Sequence, residues 1–204
     1  ASNSMVDISG IKAYARRQLQ DHWTQAVLLA LLYLALNSLW EYWTPQRTWY
    51  TPGALLGEWL GQLIIGFLTV GVYWCFLDVA RQGTFSFATM LEPFGYFIKT
   101  LGVYICSSIG ITVGLCLFVI PGVILLLGFS QVFFLLRDRP ELGVFDILFT
   151  SWQMMDGYKM EFLILNATFI GWFILGGLTW GLGYLYAYPY WYTTRAAYYN
   201  YLLE

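Results

Sequence analysis

Charge is what this 204-residue sequence has least of: 11% of its residues are Asp, Glu, Lys or Arg, less than half the ~25% usual in a soluble domain. A surface so short of charge cannot mostly face water. Histidine occurs once, as His22 beside Asp21; neighbours in a helix do not face each other, so the two make no acid–base dyad. Three cysteines, Cys75, Cys106 and Cys116, stand inside apolar runs. An odd number so placed argues against a disulfide framework and for packing thiols. No His, Cys, Asp and Glu residues have metal-ligand spacing, and no glycine-rich phosphate loop is present. A net charge of −2 without a basic, aromatic stripe argues against nucleic acid as a partner. The expectation is a protein without a catalytic constellation, metal or cofactor.

What the sequence does have is length of apolar run. Residues 162–199 carry no charge before Arg195. A helix rising about 1.5 Å per residue crosses a hydrocarbon core of ~30 Å in about 20 residues. This stretch therefore reads as two crossings, folded back at Thr179-Trp180-Gly181-Leu182-Gly183. The same pattern runs through the rest of the chain. Ala1 to Ser4 (residues 1–4) read as an expression scar ahead of Met5, and residues 5–204 as one integral membrane domain. Six spans are expected, at 24–43, 54–79, 97–118, 121–136, 160–178 and 182–201, making the fold class all-α and polytopic. A polar, two-proline segment at 44–52 separates the first two spans, and Ile120-Pro121-Gly122 reads as the turn between the third and fourth. The segment 6–21 is polar and basic, so insertion is expected to use the first span, without a cleaved signal. Aromatic residues make up 20% of the chain, and its Trp and Tyr suit the bilayer interface.

Three short amphipathic helices punctuate the spans: 8–20, with Ile8, Ile11, Ala15 and Leu19 on one face; 84–95, with Phe87, Met90, Leu91 and Phe94; and 142–156, with Leu142, Phe145, Phe149, Trp152 and Met155. Amphipathic helix, span, turn, span and a closing arginine occur three times. The closing residues, Arg81, Arg137 and Arg195, are 56 and 58 positions apart, which suggests an internal, parallel, pseudo-threefold repeat. Of the ten Lys and Arg residues, only Arg47 falls in a loop on the far side of this arrangement. The bias of positive charge toward the inside then sets both termini in the cytoplasm.

Polar groups within the spans are the candidate site residues. Asn37, Gln62, Gln131 and Asn166 fall on spans one, two, four and five; they either face a common axis or bond neighbouring helices. Asp78 and Arg81, at i and i+3, form a candidate pair at the inner interface. Arg195 stands about 18 Å along the sixth span, short of a full crossing. It must snorkel, meet a lipid phosphate or line an inner cavity. Pro189 stands six residues before it, where a helix is open to kinking. Gly110 and Gly114 form a GxxxG, a signature of close helix contact.

Several motifs carry a resemblance: Phe169-Ile170-Gly171-Trp172, Leu178-Thr179-Trp180-Gly181-Leu182-Gly183, Pro189-Tyr190 and Thr194-Arg195-Ala196-Ala197-Tyr198-Tyr199, with Ile120-Pro121-Gly122, Ser151-Trp152 and Met155-Asp156-Gly157. Together they resemble the bacterial integral membrane family called domain of unknown function 975, most specifically over the last 50 residues or so. The proline-glycine turn, arginine end and Ser-Trp helix are also similar to the membrane domain of some glycerophosphodiester phosphodiesterases. The resemblance implies a bacterial plasma membrane protein and supplies no activity.

Two functions fit the residues. One is the handling of a lipid or small amphiphilic solute, by transport or binding, for which three hairpins around an axis share the general plan of mitochondrial carriers. The other is a non-catalytic scaffold for a membrane-protein partner or a second copy of the chain. Membrane lipids are partners in either case. An enzyme would need a base near the interface, where only Asp78, Asp156 and the His22 region offer one.

Overall fold

The computed structural model describes residues 2–43 and 52–203. The linker 44–51 and the termini Ala1 and Glu204 lie outside the described residues, and with them Arg47 and part of the expected scar. Ten α-helices and one 3₁₀ helix make up the described chain: α1 (Ser2–Leu19), α2 (Trp23–Trp43), α3 (Pro52–Gln82), the 3₁₀ helix (Phe87–Tyr96), α4 (Phe97–Leu117), α5 (Val119–Gly128), α6 (Val132–Asp138), α7 (Val144–Met154), α8 (Lys159–Ala167), α9 (Ile170–Leu178) and α10 (Tyr184–Leu203). No strand occurs among the described residues.

Five segments are long and apolar enough to cross a membrane: Trp23–Tyr42, Leu56–Gln82, Phe87–Leu117, Val119–Asp138 and Lys159–Leu178. The chain is a helical membrane protein. α10 has the length of a span, at 20 residues, but not the composition. The reason is its position: α1, α2, α3 and α9 pack around it, and Ala187, Tyr190, Tyr192, Ala196, Tyr198 and Tyr199 are buried. A helix enclosed by protein need not present apolar atoms to lipid, so tyrosine replaces leucine there.

α3, α6 and α10 share an aromatic core. Tyr73 meets Phe134 and Tyr192 edge-on, with ring centroids 5.4 and 5.0 Å apart. Phe76 stacks on Tyr192 at 5.6 Å and Phe134 on Tyr199 at 5.0 Å. Such contacts add to burial because the ring edge is positive and the ring face negative. The space between these three helices is therefore filled with rings.

Each short element leans on a helix that closes a hairpin: α1 on α10, the 3₁₀ helix on α3, and α7 on α5 and α6, though α7 also packs on α4. In α1 the expected face, Ile8, Ile11, Ala15 and Leu19, is buried. The other two faces differ from expectation. The second element is 3₁₀, so three residues make a turn; Met90 and Pro93 are buried, while Phe87, Leu91 and Phe94 are exposed. In α7 the buried stripe is Ile147 and Ser151, continued by Met155, with Phe145 and Phe149 turned outward. Phe145 and Phe149 thus face away from the protein, while Ser151 on the opposite side bonds the Gly128 backbone carbonyl.

The turn between the third and fourth spans is also displaced from the expected position. The chain reverses at Phe118, the one extended residue between α4 and α5 (φ −153°, ψ 143°). Pro121 falls in the first turn of α5, where its missing N–H breaks no helical bond. Gly122 lets the hairpin close: a Cβ there would stand 2.6 Å from the Leu115 backbone nitrogen. Gly114, from the GxxxG, faces it, with the Gly122 Cα 3.1 Å from a Cβ placed there. At the α9–α10 turn, Trp180 takes a left-handed φ of 60° and Gly181 one of 91°. Trp180 is 98% exposed.

Candidate functional site

The expected fourth and fifth spans are each interrupted. α5 ends at Gly128 and α6 begins at Val132; α8 ends at Ala167 and α9 begins at Ile170. The first break follows from its residues. Ser130 Oγ donates back to the Leu127 carbonyl at 2.7 Å, a local bond that competes with helix continuation. Buried backbone left by a break must be satisfied elsewhere. Ser151 on α7 does this twice: its Oγ donates to the Gly128 carbonyl at 2.7 Å and accepts from the Gln131 N–H at 3.3 Å. Gly128 is a close-approach position, since a Cβ would lie 2.3 Å from the Trp152 ring. The adjacent pair Ser151-Trp152 thus splints the broken helix.

The break forms one wall of a cavity of about 480 Å³. Leu126, Leu127, Phe129, Ser130, Val132 and Phe133 supply that wall. α4 supplies Tyr104, Ser107, Ser108 and Ile111, and α8 supplies Phe162, Leu163 and Asn166. Trp191 and Arg195 come from α10 and Tyr73 from α3. Leu126 and Leu163 are exposed, so the cavity has an apolar rim on the outside of the bundle. The volume lies within the ~300–1,000 Å³ of small-molecule sites, which are mostly apolar with a few polar groups fixing orientation.

Among the described residues Arg195 is the only cation lining the cavity. Its guanidinium carbon lies 5.0, 5.5 and 4.7 Å from the ring centroids of Tyr73, Phe162 and Trp191. Its Nη1 donates to the Tyr73 hydroxyl, while its Nε is buried without a hydrogen-bond partner. Among the described residues no carboxylate pairs with it. Asn166 Oδ1 accepts from the Trp191 indole at 2.8 Å, and its Nδ2 donates to the Phe162 carbonyl at 2.7 Å. An amide has two donors and two acceptor positions, so each end keeps one free.

Of the residues expected to share a site, the structure brings together Asn166 and Arg195. Asn37 bonds the Tyr33 carbonyl of its own helix at 2.8 Å. Gln62 is exposed. Gln131 is fully buried, donating to Ser130 Oγ at 3.0 Å and to Met155 Sδ at 3.6 Å, with its Oε1 unpartnered. None of these three lines the cavity. Tyr73, Trp191 and the pair Ser107-Ser108 line it and were missed. The signal was available for the serines, two adjacent hydroxyls in the middle of an apolar span. Aromatic residues are too abundant here for Tyr73 and Trp191 to stand out.

Asp78 and Arg81 stand on the last turns of α3, but not paired to each other. Asp78 takes Arg137 of α6 in a two-point contact of 2.7 and 3.1 Å, and Arg81 takes Asp138. Two planar guanidinium–carboxylate contacts outcompete an i, i+3 pair because both nitrogen–oxygen bonds can form at once. Glu92 also approaches Arg137, at 3.4 Å. Tyr199 donates to Asp138 at 2.7 Å and Asn200 accepts from Arg81 at 2.9 Å, which ties α10 into the same cluster. His22 contacts Gln25 at 3.1 Å. The acids Asp78, Asp138 and Asp156 do not line the cavity.

No curated protein and no solved structure matches the chain, so the likeness to the membrane domain of glycerophosphodiester phosphodiesterases gains no support. The family resemblance fares differently. Residues 110–204, which hold α5 to α10 and most of the cavity lining, match the family model described as "Protein of unknown function (DUF975)".

Proposed function

We propose that this is a non-catalytic, six-span protein of the bacterial plasma membrane that handles a lipid or small amphiphilic solute, with both termini in the cytoplasm. α10 is the sixth span. The observation that carries the reading is the side cavity: apolar walls, one cation, one amide and a rim of exposed leucines. That combination suits a molecule with a chain and a head, arriving from the bilayer and not from water. The broken helix in its wall fits too, since irregular backbone at membrane depth is tolerated where protein or a cavity surrounds it. The docking of α1, the 3₁₀ helix and α7, each on a hairpin-closing helix, supports the threefold repeat.

A second reading has its own support. The rings between α3, α6 and α10 leave no open axis, and a solid bundle suits a scaffold for a membrane-protein partner or a second copy. Native mass spectrometry of the protein released gently from its membrane separates the two. A retained lipid or metabolite in fixed stoichiometry is the expected result. A second polypeptide, with no small molecule, would make the scaffold the better account.

A further inference from the structure

Building on the cavity reading, we propose that the ligand is a single-chain anionic amphiphile whose phosphate or carboxylate head pairs with Arg195, with its chain lying between Phe133, Leu126 and Leu163. The three arginines that close the hairpins are treated differently by the fold. Arg81 and Arg137 are each neutralised by an aspartate. Arg195 has a tyrosine hydroxyl and three ring faces, and no carboxylate among the described residues. Ring faces attract a cation but do not cancel its charge, and an uncompensated charge in a low-dielectric site is costly unless an anion joins it. The buried Nε has no hydrogen-bond partner, so the protein itself does not satisfy all the donors of this guanidinium. Asn166, with one free donor position, stands on the same wall to bind an ester or hydroxyl oxygen of the head. The remaining lining is hydrocarbon, rings and three serines; Ser107 and Ser130 already return their hydroxyls to the Val103 and Leu127 carbonyls, each at 2.7 Å. One narrow apolar space beside one positive charge fits one chain and one negative head.

The test is native mass spectrometry of the full chain in a neutral maltoside detergent, titrated separately with oleate, oleoyl lysophosphatidate, oleoyl lysophosphatidylcholine, monoolein and inorganic phosphate. Variants are Arg195→Gln, Arg195→Lys and Ser108→Trp, each first checked for an unchanged thermal transition and a single gel-filtration peak. The expected result is a one-to-one adduct with the two anionic lipids, at least tenfold tighter than with the zwitterionic or neutral one. Arg195→Gln should lose that preference, Arg195→Lys should keep most of it, and Ser108→Trp, which fills the cavity without touching charge, should abolish binding. If all four amphiphiles bind alike, and Ser108→Trp but not Arg195→Gln removes them, the anion assignment fails while the cavity reading stands. If inorganic phosphate binds as tightly as the lipids, the amphiphile is wrong. If no amphiphile binds the wild-type chain, both fall. Should Arg195→Gln not fold, the lipid preference of the wild-type chain and its loss in Ser108→Trp still decide the matter.

Discussion

Arg137 and Asp78 join the C-terminal ends of α6 and α3, and Arg81 and Asp138 join the same two helices in the opposite sense. Each helix gives the other an acid and receives a base. Reciprocal pairs of this kind fix both rotation and sliding of one helix against the other, which a single pair does not. Hydrogen bonds to charged groups are worth roughly 1.5–3 kcal/mol when partly buried. Asp78→Ala and Arg137→Ala are each expected to lower stability in detergent by about that much. The double variant should lose less than the sum, with a coupling of about 0.5–3 kcal/mol. Chemical denaturation of the four proteins measures it; strict additivity would mean that the pair contributes nothing.

Ser151→Ala should be more damaging than its size suggests. It removes one oxygen and strips partners from two buried backbone groups, the Gly128 carbonyl and the Gln131 N–H. Unsatisfied buried groups cost about 1–3 kcal/mol each. A thermal transition unchanged from wild type would show that another group satisfies the break.

Two glycines make opposite predictions for the same substitution. A Cβ at Gly71 would stand 2.0 Å from the Met90 carbonyl oxygen, which is backbone and cannot swing aside. Gly71→Ala should therefore separate α3 from the 3₁₀ helix and cost about 1–3 kcal/mol or more. Nothing lies within 4 Å of a Cβ at Gly10, and Gly10→Ala should stabilise α1 by about 0.4–1 kcal/mol. Melting temperatures of the two variants, moving in opposite directions, are the expected observation.

The Arg139–Glu141 pair serves as a contrast. Hydrogen bonding by the Arg139 guanidinium, 2.6 Å away, holds the Glu141 carboxyl below its ordinary value. A depressed carboxyl adds stability above its unfolded value and loses it as pH falls through the folded one. Both side chains are more than half exposed, so water and salt screen the effect. Glu141→Gln is expected to leave the thermal transition unmoved from neutral pH down through the carboxylate range. A clear shift in that window would contradict this surface assignment.

The membrane class and the helical content were legible because apolar run length is a local property. The face of α1 was legible for the same reason. The faces of the 3₁₀ helix and α7 were not, because periodicity says which residues share a side but not which side meets protein when hydrocarbon waits on the other. α10 shows the same gap from the opposite direction: burial inside the bundle removed the need for an apolar surface, so Tyr184–Leu203 lacks the composition of a span. Of the site, Arg195 and Asn166 were visible as polar groups out of place. Tyr73 and Trp191 were not, since their role depends on helices 122 residues apart in one contact and 25 in another.

The splint formed by Ser151 has one more entailment. α7 is a short external element, yet it supplies the bonds that close a gap in the backbone of the helix behind it. Lifting α7 away would leave a carbonyl and an amide bare within a hydrophobic wall. The two therefore move as one piece: a pull on the outside of the protein is a pull on the lining of its cavity, and the cavity cannot change shape on that side without α7 following.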